Sequence, residues 1–373
     1  MSQYDCIILG GGGMGAATAC HLSKRGAHVL LLEQFGMAHD RGSSHGETRV
    51  IRKAYFEHPD YVPLLRRAYQ LWSDLEAECG RQLYHQTGLL LAGPSDGEVI
   101  RGARLASSTH SVPLVQLSQN ELSSWPGFQF PEEFSVLLEP EAGYLLVEDC
   151  VRENLTAAAR TGCEVHSHES VIYWSSDNRS VSVRTAEGKY TAKALVITAG
   201  AWSAGILRQT LPLSILRKPM VWHEILPEAG TVYSESPVFL FQMDDGAFYG
   251  FPSIDEVTVK VAEHSGGERI RHPEALNRNW SPRDTEAVSK FVQQVMPGLS
   301  STPSRGTICM YTTTPDQHFI VDEHPEYSNV SYAAGFSGHG FKFASVIGEI
   351  LADRVECRPS QVNAEFLRLQ GRF

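Results

Sequence analysis

The N-terminal stretch YDCIILGGGGMGAATACHLSKRGAHVLLLEQ restricts the fold more than any other part of the chain. Cys6 to Leu9 form a short apolar run that reads as a buried parallel strand. Gly10, Gly12 and Gly15 follow in G-x-G-x-x-G spacing, and the small and apolar residues from Met14 to about Lys24 suit a helix packed tightly on a sheet. Gly26 stops that helix, HVLLLE supplies a second strand, and Glu33 ends it. Each part has a physical task. Gly10 permits the tight turn, Gly12 lets the backbone approach a pyrophosphate, and Gly15 allows close contact between helix and strand. The helix N-terminus offers free N–H groups to phosphates. Glu33 can accept hydrogen bonds from both hydroxyls of an adenosine ribose, which favours a ribose without a 2′-phosphate. The glycines alone are a weak signal. Strand, turn, helix, strand and acid in this order predict a Rossmann-like dinucleotide fold, compatible with FAD and NAD alike.

At 373 residues the chain exceeds what one core accommodates, so two domains or a two-lobed unit are expected. Its net charge of −11 argues against non-specific binding to nucleic acid or anionic membranes. The seven cysteines (Cys6, Cys20, Cys79, Cys150, Cys163, Cys309 and Cys357) are scattered, with no C-x-x-C pair. Neither a disulfide framework nor a metal site is expected from that spacing. The first residues lack a basic segment leading into a long apolar one, no apolar run reaches membrane-spanning length, and LQGRF carries no peroxisomal or lipidation signal. A cytoplasmic protein is the expectation.

Further along, Leu64, Leu65, Ala68, Leu71, Trp72 and Leu75 recur at helical spacing, with Gly80 as the stop. TGLLLAGP reads as a strand with a turn, and residues from about Val171 to Trp202 as a small β-meander turned by AEGK. More strands are expected from Leu216 to Leu299, with a helix over Asp284 to Val295. The glycine-rich GFSGHGFKF then runs into a last helix whose Ser345, Gly348 and Ala352 leave a small-residue stripe for close packing. No internal repeat or low-complexity linker interrupts the chain, so the lobes are expected to interleave.

Three separated stretches, GSSHGETRVIRKAY, CMYTTTPDQHFIVDEHP and AAGFSGHGFKFASVIGE, closely resemble the monomeric sarcosine oxidase family, which includes N-methyltryptophan oxidase and pipecolate oxidase. GFPSIDEVTVKVAEHSGG is similar to that family's central segment, and with ITAGAW and the N-terminal fingerprint the likeness spans nearly the whole chain. The resemblance implies an α/β protein in which a Rossmann-like FAD-binding lobe of the glutathione-reductase type is joined to a second lobe containing a mixed β-sheet. Residues 1–80, 145–215 and 305–373 are expected in the FAD-binding domain, and 81–144 and 216–304 in the substrate-binding domain. FAD is implied as cofactor, linked covalently from the sulfur of Cys309 to the 8α-methyl of the flavin. The implied cofactor contacts are Gly10, Gly12, Gly13, Met14, Gly15, Glu33, Gln34, Arg41, Ser43, Ser44, His45, Arg49, Val171, Gly200, Trp202, Cys309, Gly338, Gly340, Phe341 and Lys342.

Arg49 and Arg52 lie three apart in ETRVIR and would share a face if that turn were helical. Lys260 sits among alternating valines (Val257, Val259, Val261), so a strand is expected there, with Lys260 and Thr258 on the face opposite them. Taken alone, an arginine is more often a surface ion pair and a cysteine a small buried hydrophobe. The family motifs around Arg49, Arg52 and Cys309 reverse those expectations. By resemblance, Lys260, Arg49, His264 and Tyr249 fall in the catalytic set and Arg52, Lys342, Tyr311 and His339 in the substrate-binding set. Arg52 and Lys342 would clamp a carboxylate, Arg49 would lie over the flavin, and Lys260 would promote its reaction with O2. The aromatic and histidine residues serve as pocket walls rather than obligatory acids or bases.

The implied activity is oxidation of a secondary α-amino acid, sarcosine or another N-methyl amino acid. The imine formed would hydrolyse to the primary amino acid and formaldehyde, with O2 reduced to H2O2. Leu240 stands where the family's sarcosine enzyme has methionine, with Met243 nearby, so the substrate side chain stays open. A cyclic imino acid (pipecolate or proline) and a glycated amine remain alternatives. A flavin dehydrogenase and a non-catalytic flavin-binding protein are weaker ones. The expected partners are a small amino acid and O2, with no nucleic acid or membrane, and the chain is expected to be a monomer.

Overall fold

The computed structural model describes residues 4–207 and 211–373. The N-terminal motif folds as read: strand β1 (Tyr4–Leu9), helix α1 (Gly13–Lys24) and strand β2 (Val29–Leu32). β1 pairs in parallel with β2 on one side and with the strand Lys189–Ile197 on the other. Every residue of β2 is buried, as expected for a parallel strand with both faces covered. The expected meander is present, as Val171–Ser176, Val181–Thr185 and Lys189–Ile197. It is part of the same eight-stranded sheet, because its third strand is long enough to pair also with β1 and with Val330–Ala334.

Close packing around α1 depends on missing side chains. A Cβ on Gly348 would stand 2.6 Å from the Ala17 Cβ, so the stripe on helix Ala344–Val355 is what lets that helix meet α1. A Cβ on Gly15 would fall 1.8 Å from the Gly10 carbonyl oxygen. Gly15→Ala is therefore expected to lower stability by about 1–3 kcal/mol, the usual range for overpacking, measured by thermal or urea unfolding. A variant as stable as the parent would contradict the packing described here.

The second sheet has nine strands and is mixed: Val238–Met243 runs parallel to Leu89–Pro94 and antiparallel to Gly246–Gly250. Helix Pro282–Val295 covers one face, with Val288, Phe291, Val292 and Val295 packed among Phe239, Phe241 and Phe248. It starts two residues before the expected Asp284, at a Ser281/Asp284 capping box that satisfies two otherwise orphaned N–H groups. The longest strand, Leu299–Thr313, pairs with Ser214–Ile225 along most of its length. The boundary set at residue 305 falls inside it, so residues 305–313, Cys309 among them, lie in the nine-stranded sheet.

A three-stranded sheet lies apart from both. Its strand β3 (Thr48–Ile51) shows that ETRVIR is extended, so the helical turn on which a shared face for Arg49 and Arg52 depends is not present. Three of the four residues of β3 are β-branched, which favours the extended form. Helix α2 (Tyr61–Cys79) buries Leu64, Leu65, Ala68, Leu71, Trp72 and Leu75, as its spacing predicted, and ends at Gly80 with φ +69°. Among the described residues no helix is long and apolar enough to cross a membrane.

Candidate functional site

One cavity spans the two large sheets, bounded by the C-terminal ends of β1 and β2 on one side and by Leu240, Tyr249, His264 and Cys309 to Thr312 on the other. It encloses about 1970 Å3, open mouth included.

The end near β1 fits a dinucleotide. Gly10 turns the chain at φ +101°, where a Cβ would meet the Thr198 carbonyl oxygen at 2.7 Å. At Gly12 a Cβ would meet only the Ser44 Oγ within 4 Å, so the backbone there is open to a ligand. The Gly13 N–H points to Ser44 Oγ at 3.2 Å, and no acid occupies the first turn of α1. Glu33 is buried on the cavity wall and accepts the Gly11 N–H at 2.7 Å and the Phe35 N–H at 2.8 Å. Burial opposes its charge, but His39 and the Gly11 N–H keep the carboxyl below its usual range. Oε1 also faces His39 Nε2 at 3.3 Å, whereas Oε2 retains a further lone pair for a ribose hydroxyl. Gly12, Gly13, Met14, Gln34, Ser43, Ser44, Val171, Gly200 and Trp202 also line this cavity. The open backbone at Gly12, the acid-free helix start and the ionised Glu33 fit FAD.

Four residues expected at the ligand do not line the cavity. Gly15 is a packing glycine. Arg41 is exposed beside Asp40. His45 is buried, its Nε2 without a partner among the described residues. Burial and the neighbouring Arg49 push it down to about 3, so its ring is neutral. Lys260 lies behind β3, where Nζ donates to the Gly46 and Thr48 carbonyls at 2.6 and 2.8 Å and sits 4.2 Å from the Phe251 ring centroid. Val259 and Val261 lie in the core on the opposite face of that strand, as alternation predicts, whereas Val257 is exposed and precedes it.

The far end is cationic. Arg49 leaves β3 to donate to the Thr48 and Ser43 carbonyls, both at 2.9 Å, and its Nη2 lies 3.7 Å from the Cys309 Sγ. Arg52, just beyond β3, is held by both oxygens of Glu57, at 2.7 and 2.6 Å. Arg52 and Lys342 together hold Glu57 at about 2, against the desolvation that raises it. Lys342 Nζ donates to the His339 carbonyl at 2.8 Å, and burial next to Arg52 pushes the amine down to about 7. The Tyr249 and Tyr311 hydroxyls lie 3.4 Å apart, with the His264 ring beside both. Burial pushes His264 down to about 4 and raises both tyrosines. Gly338, Gly340, Phe341 and His339 complete this wall; a Cβ on Gly338 would lie 2.2 Å from the Tyr311 ring. Leu240 lines the cavity and Met243 does not.

Two charged residues here had no signal in the sequence reading. Glu57 follows Arg52 in an irregular segment with no periodicity to pair them. Lys218, buried opposite Cys309 on the neighbouring strand and pushed down to about 8 by burial, does not line the cavity but lies behind its wall, Nζ 5.3 Å from the Tyr311 ring centroid, a placement set only by long-range strand pairing.

A dinucleotide cradle continuous with a pocket of basic side chains is the arrangement of a flavin-dependent oxidoreductase. Residues 5–354 match the FAD dependent oxidoreductase family, and the chain belongs to it. It is 37% identical over 358 residues to the monomeric sarcosine oxidase of Bacillus sp. (strain NS-129), covering 94% of this chain and 92% of that one. It is 34% identical over 369 residues to the N-methyl-L-tryptophan oxidase of Yersinia pestis (strain Pestoides F), covering 97% of each. The fold matches that of NikD, an unusual amino acid oxidase essential for nikkomycin biosynthesis, in its open form. The TM-score is 0.88 at 24% identity, over 99% of this chain and 98% of that one.

Proposed function

We propose that the protein is an oxidase of secondary α-amino acids, N-methyl amino acids foremost, that passes electrons to O2 and releases H2O2. The observation that carries this reading is the cationic wall formed by Arg49, Arg52 and Lys342, continuous with the dinucleotide cradle. Bound FAD supplies a two-electron acceptor and its return of electrons to O2. Arg52 and Lys342 hold the substrate carboxylate, which competes with Glu57 for the Arg52 guanidinium. Arg's planar fork suits that exchange of one carboxylate for another. Tyr249, Tyr311, His264 and Leu240 wall the amine and its oxidisable C–H. His264 stays neutral above about pH 4 and so adds no charge that would disfavour bound substrate. The amine reacts as its free base, losing a hydride equivalent from the carbon next to nitrogen. Water then cleaves the imine, giving formaldehyde and the primary amino acid from an N-methyl substrate. Cys309 would hold the flavin through its sulfur, with the Arg49 guanidinium 3.7 Å from that sulfur, and Lys260 would assist the oxygen reaction. The enzyme works as a cytoplasmic monomer. The similarity to sarcosine and N-methyl-L-tryptophan oxidases supports the substrate class.

A peroxide-coupled screen of sarcosine, N-methyl-L-tryptophan, L-pipecolate, L-proline and a fructosyl amino acid tests the reading. Peroxide is expected with at least one of the first four. If none of the five forms peroxide in air or bleaches the flavin anaerobically, the proposal is wrong.

The pocket also sets a pH dependence. Lys342 is charged below about 7 and neutral above it, so a carboxylate ligand gains its attraction on the acidic side. The Kd of a non-oxidisable carboxylate is expected to rise severalfold from pH 6 to pH 9, with Lys342→Met abolishing the dependence. An unchanged pH profile in that variant would exclude Lys342 as the titrating group.

A further inference from the structure

Three of the side chains assigned to substrate meet at one residue that does not itself line the cavity. Tyr55 is fully buried. The Arg52 Cζ lies 4.3 Å from its ring centroid, and the Lys342 Nζ lies 5.3 Å from the same centroid. Its hydroxyl is hydrogen-bonded to His339 Nδ1. The other imidazole nitrogen, Nε2, lies 3.0 Å from the Gln317 carbonyl, which can only accept, so Nε2 carries the hydrogen. Nδ1 of the neutral ring is then an acceptor, and Tyr55 is the donor. The His339 carbonyl in turn receives the Lys342 ammonium, which closes a circuit of phenol, imidazole and amine.

The ring has little freedom to turn away. Tyr61 and Phe343 pack on it with centroids at 5.0 and 5.3 Å. Phe56 contributes a second ring to the guanidinium, 4.2 Å from the Arg52 Cζ. Two cations held close in a water-poor site repel each other, and the negative face of an aromatic ring offsets that repulsion most where solvent is excluded. A single rigid ring in contact with both also fixes the distance between them.

We infer that Tyr55 is a positioning residue that sets the spacing of Arg52 and Lys342 for a carboxylate and so makes the site prefer carboxylate-bearing ligands over their neutral counterparts. This rests on the carboxylate clamp proposed above. The ring faces provide the positioning, and the hydroxyl locks His339 in one tautomer.

The test is the affinity of the flavin-loaded protein for cyclohexanecarboxylate and for cyclohexanecarboxamide, a pair matched in shape, measured by calorimetry. The wild type is expected to prefer the carboxylate. Tyr55→Leu is expected to reduce that preference tenfold or more, whereas Tyr55→Phe, which keeps the ring, changes it less than threefold. A loss that falls equally on both ligands, or a preference unchanged in Tyr55→Leu, overturns the inference while leaving the clamp in place. A wild type with no preference overturns the clamp itself, and the inference with it. Should Tyr55→Leu not fold, Tyr55→Phe is compared with protein carrying pentafluorophenylalanine at position 55. There the ring keeps its shape but its face loses negative charge. The same tenfold reduction is expected, and an unchanged preference overturns the inference.

Discussion

Wild-type protein precipitated in acid is expected to keep its yellow colour in the pellet, and Cys309→Ala is expected to release essentially all of its flavin to the supernatant. Cys309 is buried, yet its side chain reaches the cavity wall from the strand Leu299–Thr313. Of the seven cysteines it is the only one that lines this cavity. Arg49, which has no carboxylate within ion-pair distance among the described residues, lies 3.7 Å from its sulfur. The thiolate is the form of a cysteine that acts as nucleophile. Holding sulfur and flavin together also gives the bond-forming step the advantage of an intramolecular reaction. Mass spectrometry of the denatured wild-type chain should show the added mass of FAD. A denatured wild-type chain of unmodified mass would refute the covalent link while leaving FAD binding intact.

Lys260→Met is expected to slow reoxidation of the reduced enzyme by O2 about 100-fold or more, with a far smaller effect on anaerobic reduction by substrate. The first electron to reach O2 makes an anion, and a charge already fixed in a dry site stabilises it without reorganisation. The two carbonyls of Gly46 and Thr48 hold the ammonium against β3, the strand that carries Arg49. Its charge must therefore act from one layer behind the cavity wall. Burial, together with the Arg49 charge, pushes this amine well below its ordinary value, while Glu47 and Glu148 pull it back up. The charge is present at low pH and lost as pH rises through that lowered value, so the oxygen rate constant should fall with rising pH. Lys260→Met should flatten the profile. Stopped-flow measurement of both half-reactions checks this, and equal slowing of reduction and reoxidation would argue against the assigned role.

How far the sequence foretold this molecule depended on the range of the interactions involved. β1, α1 and β2 were legible because turn, helix and strands are set by neighbours within thirty residues, and so was α2, whose apolar spacing marks its buried face. The ETRVIR segment stayed conditional, because a three-residue spacing gives a shared face only if the segment is helical. Three β-branched residues and antiparallel pairing with Gly143–Leu146 made it a strand instead. Arg49 and Arg52 still reach one cavity, but from within the strand and from just past its end. Glu57 and Lys218 were invisible for another reason: what matters about each is a partner in space, and no local pattern announces it. Lys260 was placed on the correct face by alternation, yet only the fold shows it one layer away from the ligand.

The position of Cys309 has a mechanical consequence. Its strand belongs to the nine-stranded sheet, whereas the glycine turn at Gly10 to Gly15 belongs to the other. If the covalent link proposed above forms, a nucleotide seated on α1 would tie the two large sheets together through that sulfur. The sheets then cannot part without dragging the adenosine end from its seat, so heat should separate them later and in a single step in the loaded protein.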